Sequence, residues 1–369
     1  MGRSSRGVSR ALVGVCLTLA ALLVAACQGG TSTLASTALN VYSWSEYLPP
    51  DVISSFEAAH PGLTVNVTTY DSNEEMLAGL AAQPGHYDLV IPSDYAVEIL
   101  IDQKGLEPID VGKDLKNFDN ILPNFRSPYF DPGGTPSRSG GKGTADKYTV
   151  PFQWGTTGIA YDPSKVPFAI TSWADLARPE LHGKVGVLDD SREVLGAALL
   201  ATGHDKNDAS PESLAQAVAW LQGLGIVSID SATPEKALEA GTALASIIFN
   251  GNAVLATRAD PAISYVLPQA GGIFFDNMAI PVGAPHRDAA LAFIDHVLDG
   301  PQSASISRTY GYSTPNQAAL TVLATTDPAF VADPVTDPPA DALLDLRLVK
   351  NVGTEGQARF EAAWKEIKP

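Results

Sequence analysis

Strand-forming and helix-forming runs alternate along this chain from residue 39 onward, and that alternation restricts its fold more than any other feature. VNVTTY (65–70) and DLVIPS (88–93) are rich in β-branched residues, and NEEMLAGLAAQ (73–83) between them is a helix former. Ser72 precedes that helix with Glu75 three residues on, the spacing of a capping box. YAVEILIDQKG then runs to Gly105, a usual helix stop. The pattern resumes with GTTGIAYD, KVGVLDD, ASIIFN and FFDNMAIP, each followed by helical or turn sequence. Such strand–helix–strand units predict an α/β fold, with a parallel or mixed sheet carrying helices on both faces. The 369 residues suffice for two domains of ordinary size. No repeat at a solenoid period interrupts them.

Two stretches break the pattern. DPGGTPSRSGGKGTADK (131–147) is a glycine-rich loop. Its GGKGT is no phosphate loop, because Pro136 stands where a glycine is needed and Gly143 where Ser or Thr should follow the lysine. Asp327 to Asp341, rich in Asp and Pro, is expected to be a surface crossing.

The first 26 residues read as a secretory leader. Arg3, Arg6 and Arg10 form its positive end, and the uncharged run Ala11 to Ala26 is short of the roughly 20 residues of a spanning helix. LVAAC resembles the bacterial lipobox, which makes Cys27 the expected lipidation site and 27–38 a flexible tether of small polar residues. Two acyl chains would give stable membrane anchoring. Cys16 would leave with the leader, so no thiol remains for a disulfide, a thiolate metal site or catalysis. The formal net charge is −17, and loss of a leader with three arginines and no acids makes it more negative. That balance argues against a nucleic-acid partner and favours cations.

Candidate binding residues gather where strands end. In VYSWSEYLPP, Trp44, Glu46 and Tyr47 follow the strand at 39–41, the place where open α/β sheets keep their ligand crevice. Aromatic faces beside a carboxylate suit an organic cation, although core packing would also explain the rings. Ser93 and Tyr95 follow the next strand. Asp190 and Glu193, three apart, share one face of a helix start, where they could bind a ligand or cap the helix. Asp276 follows Phe274 and Phe275 inside an apolar strand, and an acid there needs a positive partner. Tyr312 adds a ring near a turn. The six histidines are scattered, and no HExxH, GxSxG, GxGxxG or EF-hand pattern is present, so no enzyme activity, metal site or cofactor is expected.

In the same order along most of the chain stand YSWSEYLPP, YDSNEEM, YDLVIPSDY, VPFQWGTTGIAYD, TSWADLARPELHGKVGVLDDSREV, GGIFFDNMAIP and GYSTPNQAA. Together they resemble the spermidine/putrescine-binding lipoproteins of ABC importers. The resemblance implies a two-lobed, periplasmic-binding-protein-like fold of class II, with mixed sheets flanked by helices and a hinge between the lobes. It places residues 39–155 plus 276–321 in one lobe and 156–275 plus 322–369 in the other, with crossings near Gly155, Phe275 and Thr321. It adds Ser45 and Phe249 to the pocket formed by Trp44, Glu46, Tyr47, Ser93, Tyr95, Asp190, Glu193, Phe274, Phe275, Asp276 and Tyr312. Phe249 stands where members often carry Trp, the chain is one residue shorter around Phe274 and Phe275, and no glutamine matches near Val349 and Lys350. The implied protein is an extracytoplasmic, lipid-anchored monomer that delivers a polyamine to a permease. Binding of another organic cation, polyamine sensing, or a hydrolase using two carboxylates are the alternatives.

Overall fold

The computed structural model describes residues 37–131 and 147–368. The leader, Cys27, all but the end of the tether and most of the 131–147 loop lie outside the described residues.

Among the described residues ten strands join in one sheet: β1 Thr37–Trp44, β2 Leu63–Tyr70, β3 Leu89–Val90, β4 Thr149–Tyr161, β5 Val185–Val187, β6 Ser228–Ile229, β7 Ala245–Phe249, β8 Ser264–Val266, β9 Gly272–Ala279 and β10 Arg347–Leu348. Their order is β2-β1-β3-β9-β4-β7-β5-β6, with β10 beside β9 and β8 beside β4. β1 runs parallel to β3, β5 to β6 and β7, and β10 to β9. β9 is antiparallel to β3 and β4, and β4 is antiparallel to β7 and β8. The sheet is therefore mixed, with parallel pairs towards both ends of the order and two long antiparallel strands in the middle.

Those middle strands link two hydrophobic cores. β4, TVPFQWGTTGIAY, is buried along its whole length, which is why it lacks the polar alternation of a half-exposed strand. Val150 and Phe152 enter one core with Leu39, Leu89 and Phe293, whereas Ile159 and Tyr161 enter the other with Leu195, Ile247 and Phe360. Phe249, at the end of β7, packs against both. The fold is two-lobed, and side chains at the inner ends of the strands converge between the cores.

Local differences from the sequence reading have physical causes. Only Leu89–Val90 of DLVIPS pairs as a strand, since Pro92 has no N–H to continue the ladder. The helix Asp94–Asp102 stops before Gly105: Lys104 takes the left-handed conformation (φ 55°), and the Gly105 amide donates to Leu100 O at 2.8 Å. Ser72 caps Asn73–Ala82 as expected, but Glu75 reaches back to the amide of Asp71 at 3.0 Å rather than to Ser72 itself. The crossing at 327–341 contains the helix Pro328–Ala332, with Asp327 accepting from Phe330 N.

β4 begins at a buried anchor. One carboxylate oxygen of Asp131 accepts from the amides of Lys147, Tyr148 and Thr149 at 3.0, 2.9 and 2.8 Å, and from Thr149 Oγ1 at 2.8 Å. Losing four bonds to a charged acceptor leaves three amides without a partner, so Asp131→Ala is expected to lower stability by about 2–3 kcal/mol. Urea unfolding measures this, and a loss below about 0.5 kcal/mol would remove Asp131 from the role of anchor.

Candidate ligand-binding site

A cavity opens between the two cores, and its charged lining is mostly acidic. Asp276 lines it from β9. Along β9 the side chains alternate, so Phe274 and Asp276 face this cavity while Phe275 faces a separate pocket with Phe125 and Trp154. The bridge between Ser93 and Asp276 brings the end of β3 against β9. Ser93 Oγ then donates to Asp276 Oδ1 at 2.6 Å, and the Tyr47 hydroxyl donates to Oδ2. Asn73 holds Ser93 in place, donating to its Oγ at 3.0 Å and accepting its amide at 3.1 Å. Burial pushes the Asp276 carboxyl up to about 7, even though the Ser93 and Tyr47 hydrogen bonds pull it down. The same burial, with Asp276 alongside, raises the Tyr47 hydroxyl well above its ordinary value.

The loop after β1 forms an aromatic wall. Glu46 takes a left-handed conformation (φ 52°), and the chain reversal there turns Tyr47 inward. The Tyr47 ring packs against Tyr312 (centroids 5.0 Å) and Phe152 (5.6 Å). Trp44 lines the cavity while its indole N–H donates to Ile91 O at 3.0 Å, and Ser45 beside it donates to Asp71 at 3.3 Å. Phe249 and Phe274 complete the rings, edge to face at 5.3 Å. Glu46 itself is absent from the lining. It accepts from Asn252 at 3.2 Å, and Asn252 in turn accepts from Tyr312. Burial, and then Glu235 nearby, raises Glu46 to about 7.

The facing wall is the start of the helix Ser191–Ala201. Asp190 caps it, its Oδ1 accepting from Arg192 N and Glu193 N at 2.9 and 3.0 Å, and it lines the cavity as well. Capping and ligand-facing roles thus coexist in one carboxylate. Burial, then Glu74 and Glu193, raises its pKa. Glu193 also lines the cavity, with Oε2 bonded to Lys206 Nζ at 2.8 Å and both side chains buried. Tyr95 donates to Glu74 at 3.0 Å.

Thirteen positions were expected in the pocket, and eleven line this cavity; Glu46 and Phe275 do not. Sequence reasoning missed Asn73, Asp94, Arg192, Ser231 and Val349 in the lining, and Lys206 behind Glu193. Asp94 and Arg192 adjoin expected residues, so sequence proximity was an available signal. Asp94 is buried, spends Oδ1 on the Tyr95 amide at 2.8 Å, and leaves Oδ2 without a partner. Arg192 stacks over Tyr95 and Phe360, and its guanidinium donates to Gln357, Asn207 and Lys350 O. Among the described residues no cluster of three His, Cys, Asp or Glu could hold a metal ion.

Carboxylates on both walls and rings between them form a slot suited to an extended cation. Two lobes around such a slot define a ligand-capturing protein, and the chain belongs to the bacterial extracellular solute-binding protein family, whose model matches residues 51–334. It works outside the cytoplasm, as that family does. It is 33% identical over 335 residues to the spermidine/putrescine-binding periplasmic protein of Escherichia coli K12, covering 89% of this chain and 91% of that one. It is 28% identical over 365 residues to the putrescine/cadaverine-binding protein of Pseudomonas aeruginosa, covering 94% and 98%. Among solved structures, the spermidine/putrescine ABC transporter substrate-binding protein PotD of Streptococcus pneumoniae superposes with a TM-score of 0.70 at 28% identity, over 90% of this chain and 99% of that one. The Tp0655 lipoprotein of Treponema pallidum superposes with a TM-score of 0.71 at 27% identity, again over 90% and 99%.

Proposed function

We propose that this protein captures a linear polyamine between its lobes and delivers it to an ABC importer. One observation carries the reading: Asp276 lies buried under two hydroxyl donors, its pKa lifted towards neutrality, in a ring-lined slot faced by Asp190 and Glu193. A buried carboxylate of this kind gains most from a ligand that brings its own positive charge. Ammonium groups supply charge-assisted hydrogen bonds, and the rings of Trp44, Phe249, Phe274 and Tyr312 cover the methylenes between them.

The lobe boundaries near Gly155, Phe275 and Thr321 belong to this reading. The split of β4 between the two cores supports the first two, and Phe360 and Trp364 lie in the second core; Thr321 falls inside the helix Gln317–Thr326, whose Leu323 packs with Ala304, so the last crossing comes after that helix. On those boundaries Gln357 reaches Glu74 across the cleft at 2.7 Å, and Asn252 reaches Glu46 at 3.2 Å, the contacts of a closed form. Closure would present the surface that a permease recognises. The same reading keeps the protein a monomer held to the membrane by lipid on Cys27.

A thermal-shift panel of diamines, triamines, amino acids and metal salts on the purified protein tests the proposal. Linear polyamines are expected to raise the melting temperature by several degrees at a hundredfold excess over Kd, where linkage gives about 2.7 kcal/mol. Stabilisation by amino acids or metal salts with none by polyamines would end it.

A further inference from the structure

Asp94 is a carboxylate of the slot whose charge the fold of the free protein does not use. It is the first residue of the helix Asp94–Asp102, lines the cavity and is only 1% exposed. Its Oδ1 accepts from the Tyr95 amide at 2.8 Å, and Oδ2, itself buried, has no hydrogen-bond partner. A serine or asparagine would serve that amide without burying a charge, so capping explains one oxygen and not the acid. Ser93, the residue before it, is bridged to Asp276 through the backbone and donates to Asp276 Oδ1 at 2.6 Å. Asp94 therefore enters the slot one residue from the contact that holds Asp276. Burial pushes its carboxyl well above the ordinary 3.8, against the pull of the Tyr95 amide. Of the other charged groups in the lining, Glu193 is already paired with Lys206 at 2.8 Å, and Arg192 spends its guanidinium on Gln357, Asn207 and Lys350 O. Asp94, Asp190 and Asp276 form no ion pair among the described residues, which leaves three buried acids of the lining without a counter-charge.

We propose that Asp94 is a ligand-binding residue that forms an ammonium subsite beside Asp276, so that the slot prefers a linear amine with an internal positive charge. This rests on the amine-binding reading above and narrows it to triamines. The secondary ammonium and one primary ammonium meet Asp94 and Asp276 on one wall, and the far primary ammonium meets Asp190 on the other. Oδ2 of Asp94 accepts the ligand while Oδ1 keeps its bond to the helix, so the subsite exists before the ligand arrives. A diamine of the same length neutralises at most two of the three acids. It leaves the third buried without a counter-charge, or still holding its proton. Discrimination thus comes from a buried charge that only the longer-charged ligand satisfies.

Spermidine and its carbon isostere of equal length, α,ω-diaminooctane, separate the effect of the internal charge from that of chain length. Calorimetry on the purified protein is expected to show spermidine binding roughly tenfold or more tighter than the diamine. Asp94→Asn, which keeps an oxygen for the Tyr95 amide and removes the charge, is expected to bring the ratio of the two affinities to within roughly threefold of unity. If that variant fails to fold, Asp94→Ser, which also retains an acceptor at the start of the helix, is expected to do the same. A wild type that binds the diamine as tightly as spermidine, or an equal loss of affinity for both amines in a folded variant, overturns the role of Asp94 while leaving amine binding intact. Binding of neither amine by the folded wild type overturns the amine reading and this inference with it.

Discussion

Asp276→Asn is expected to weaken polyamine binding by roughly 100-fold or more, about 3 kcal/mol, while leaving the free protein folded. The expectation follows from what surrounds the carboxylate. Ser93 and Tyr47 each donate to one of its oxygens, so the free protein already satisfies both with hydroxyls. An asparagine retains one acceptor but presents an amide N–H₂ to the other hydroxyl, and it carries no charge for an ammonium ion. In the complex the loss falls on a buried, charge-assisted contact, the kind whose truncation costs most. In the free protein the change is milder, because it also removes the need to bury a charge. Calorimetry with putrescine and spermidine, together with melting curves of the unliganded variant, reads both effects. Affinity within threefold of wild type would take Asp276 out of the site.

How much of this could be read before the structure differs by level. The α/β character was legible because strands and helices here carry different hydrophobic periods, and Ser72 and Asp190 cap their helices where the spacing placed them. The long burial of β4 was less legible, since a strand covered on both faces loses the alternation that identifies strands. Asp276, Tyr47 and Ser93 could each be nominated singly from strand-end position. That they share one pair of carboxylate oxygens could not, because the contacts span 183 and 229 residues of sequence. Alternation along β9 also decides that Phe274 and not Phe275 faces the cavity, and that assignment requires knowing which face the partner strands cover. Lys206 was the least legible. It lies 13 residues beyond Glu193 on an irregular loop, where nothing local in the sequence pairs the two.

Protons and polyamine should compete for the slot, with opposite consequences for the free and the loaded protein. Asp276 and Glu46 are each raised to about 7 in the folded chain, from ordinary values of 3.8 and 4.5. Between the ordinary and the raised values the folded state binds more protons than the unfolded one. The contribution of these groups to stability is therefore present at low pH and is lost as pH rises through about 7. Asp162, Asp175 and Asp208 are each held below their ordinary 3.8, so their opposing effect lies below about pH 4. His296, lowered by burial from 6.5, opposes inside the window, as one group against Asp276, Glu46 and the likewise raised Asp190. The unliganded protein should accordingly melt at a higher temperature near pH 5 than near pH 8. Ligand binding requires Asp276 as the anion, whereas aliphatic ammonium groups stay charged throughout the range. Asp190, which also lines the cavity with a raised pKa, has a second proton to release, so affinity should weaken by more than about tenfold per pH unit and by at least roughly 100-fold at about pH 5 relative to about pH 8. Calorimetry in two buffers of different ionisation enthalpy should count between one and two protons released by these two carboxylates near pH 5, with Asp94 adding to the count where it meets the ligand, and fewer near pH 8. An affinity flat across that range, with no proton release, would show that the ligand does not meet Asp276, whereas a proton count that falls by about one in Asp276→Asn would trace that part of the linkage to its carboxylate.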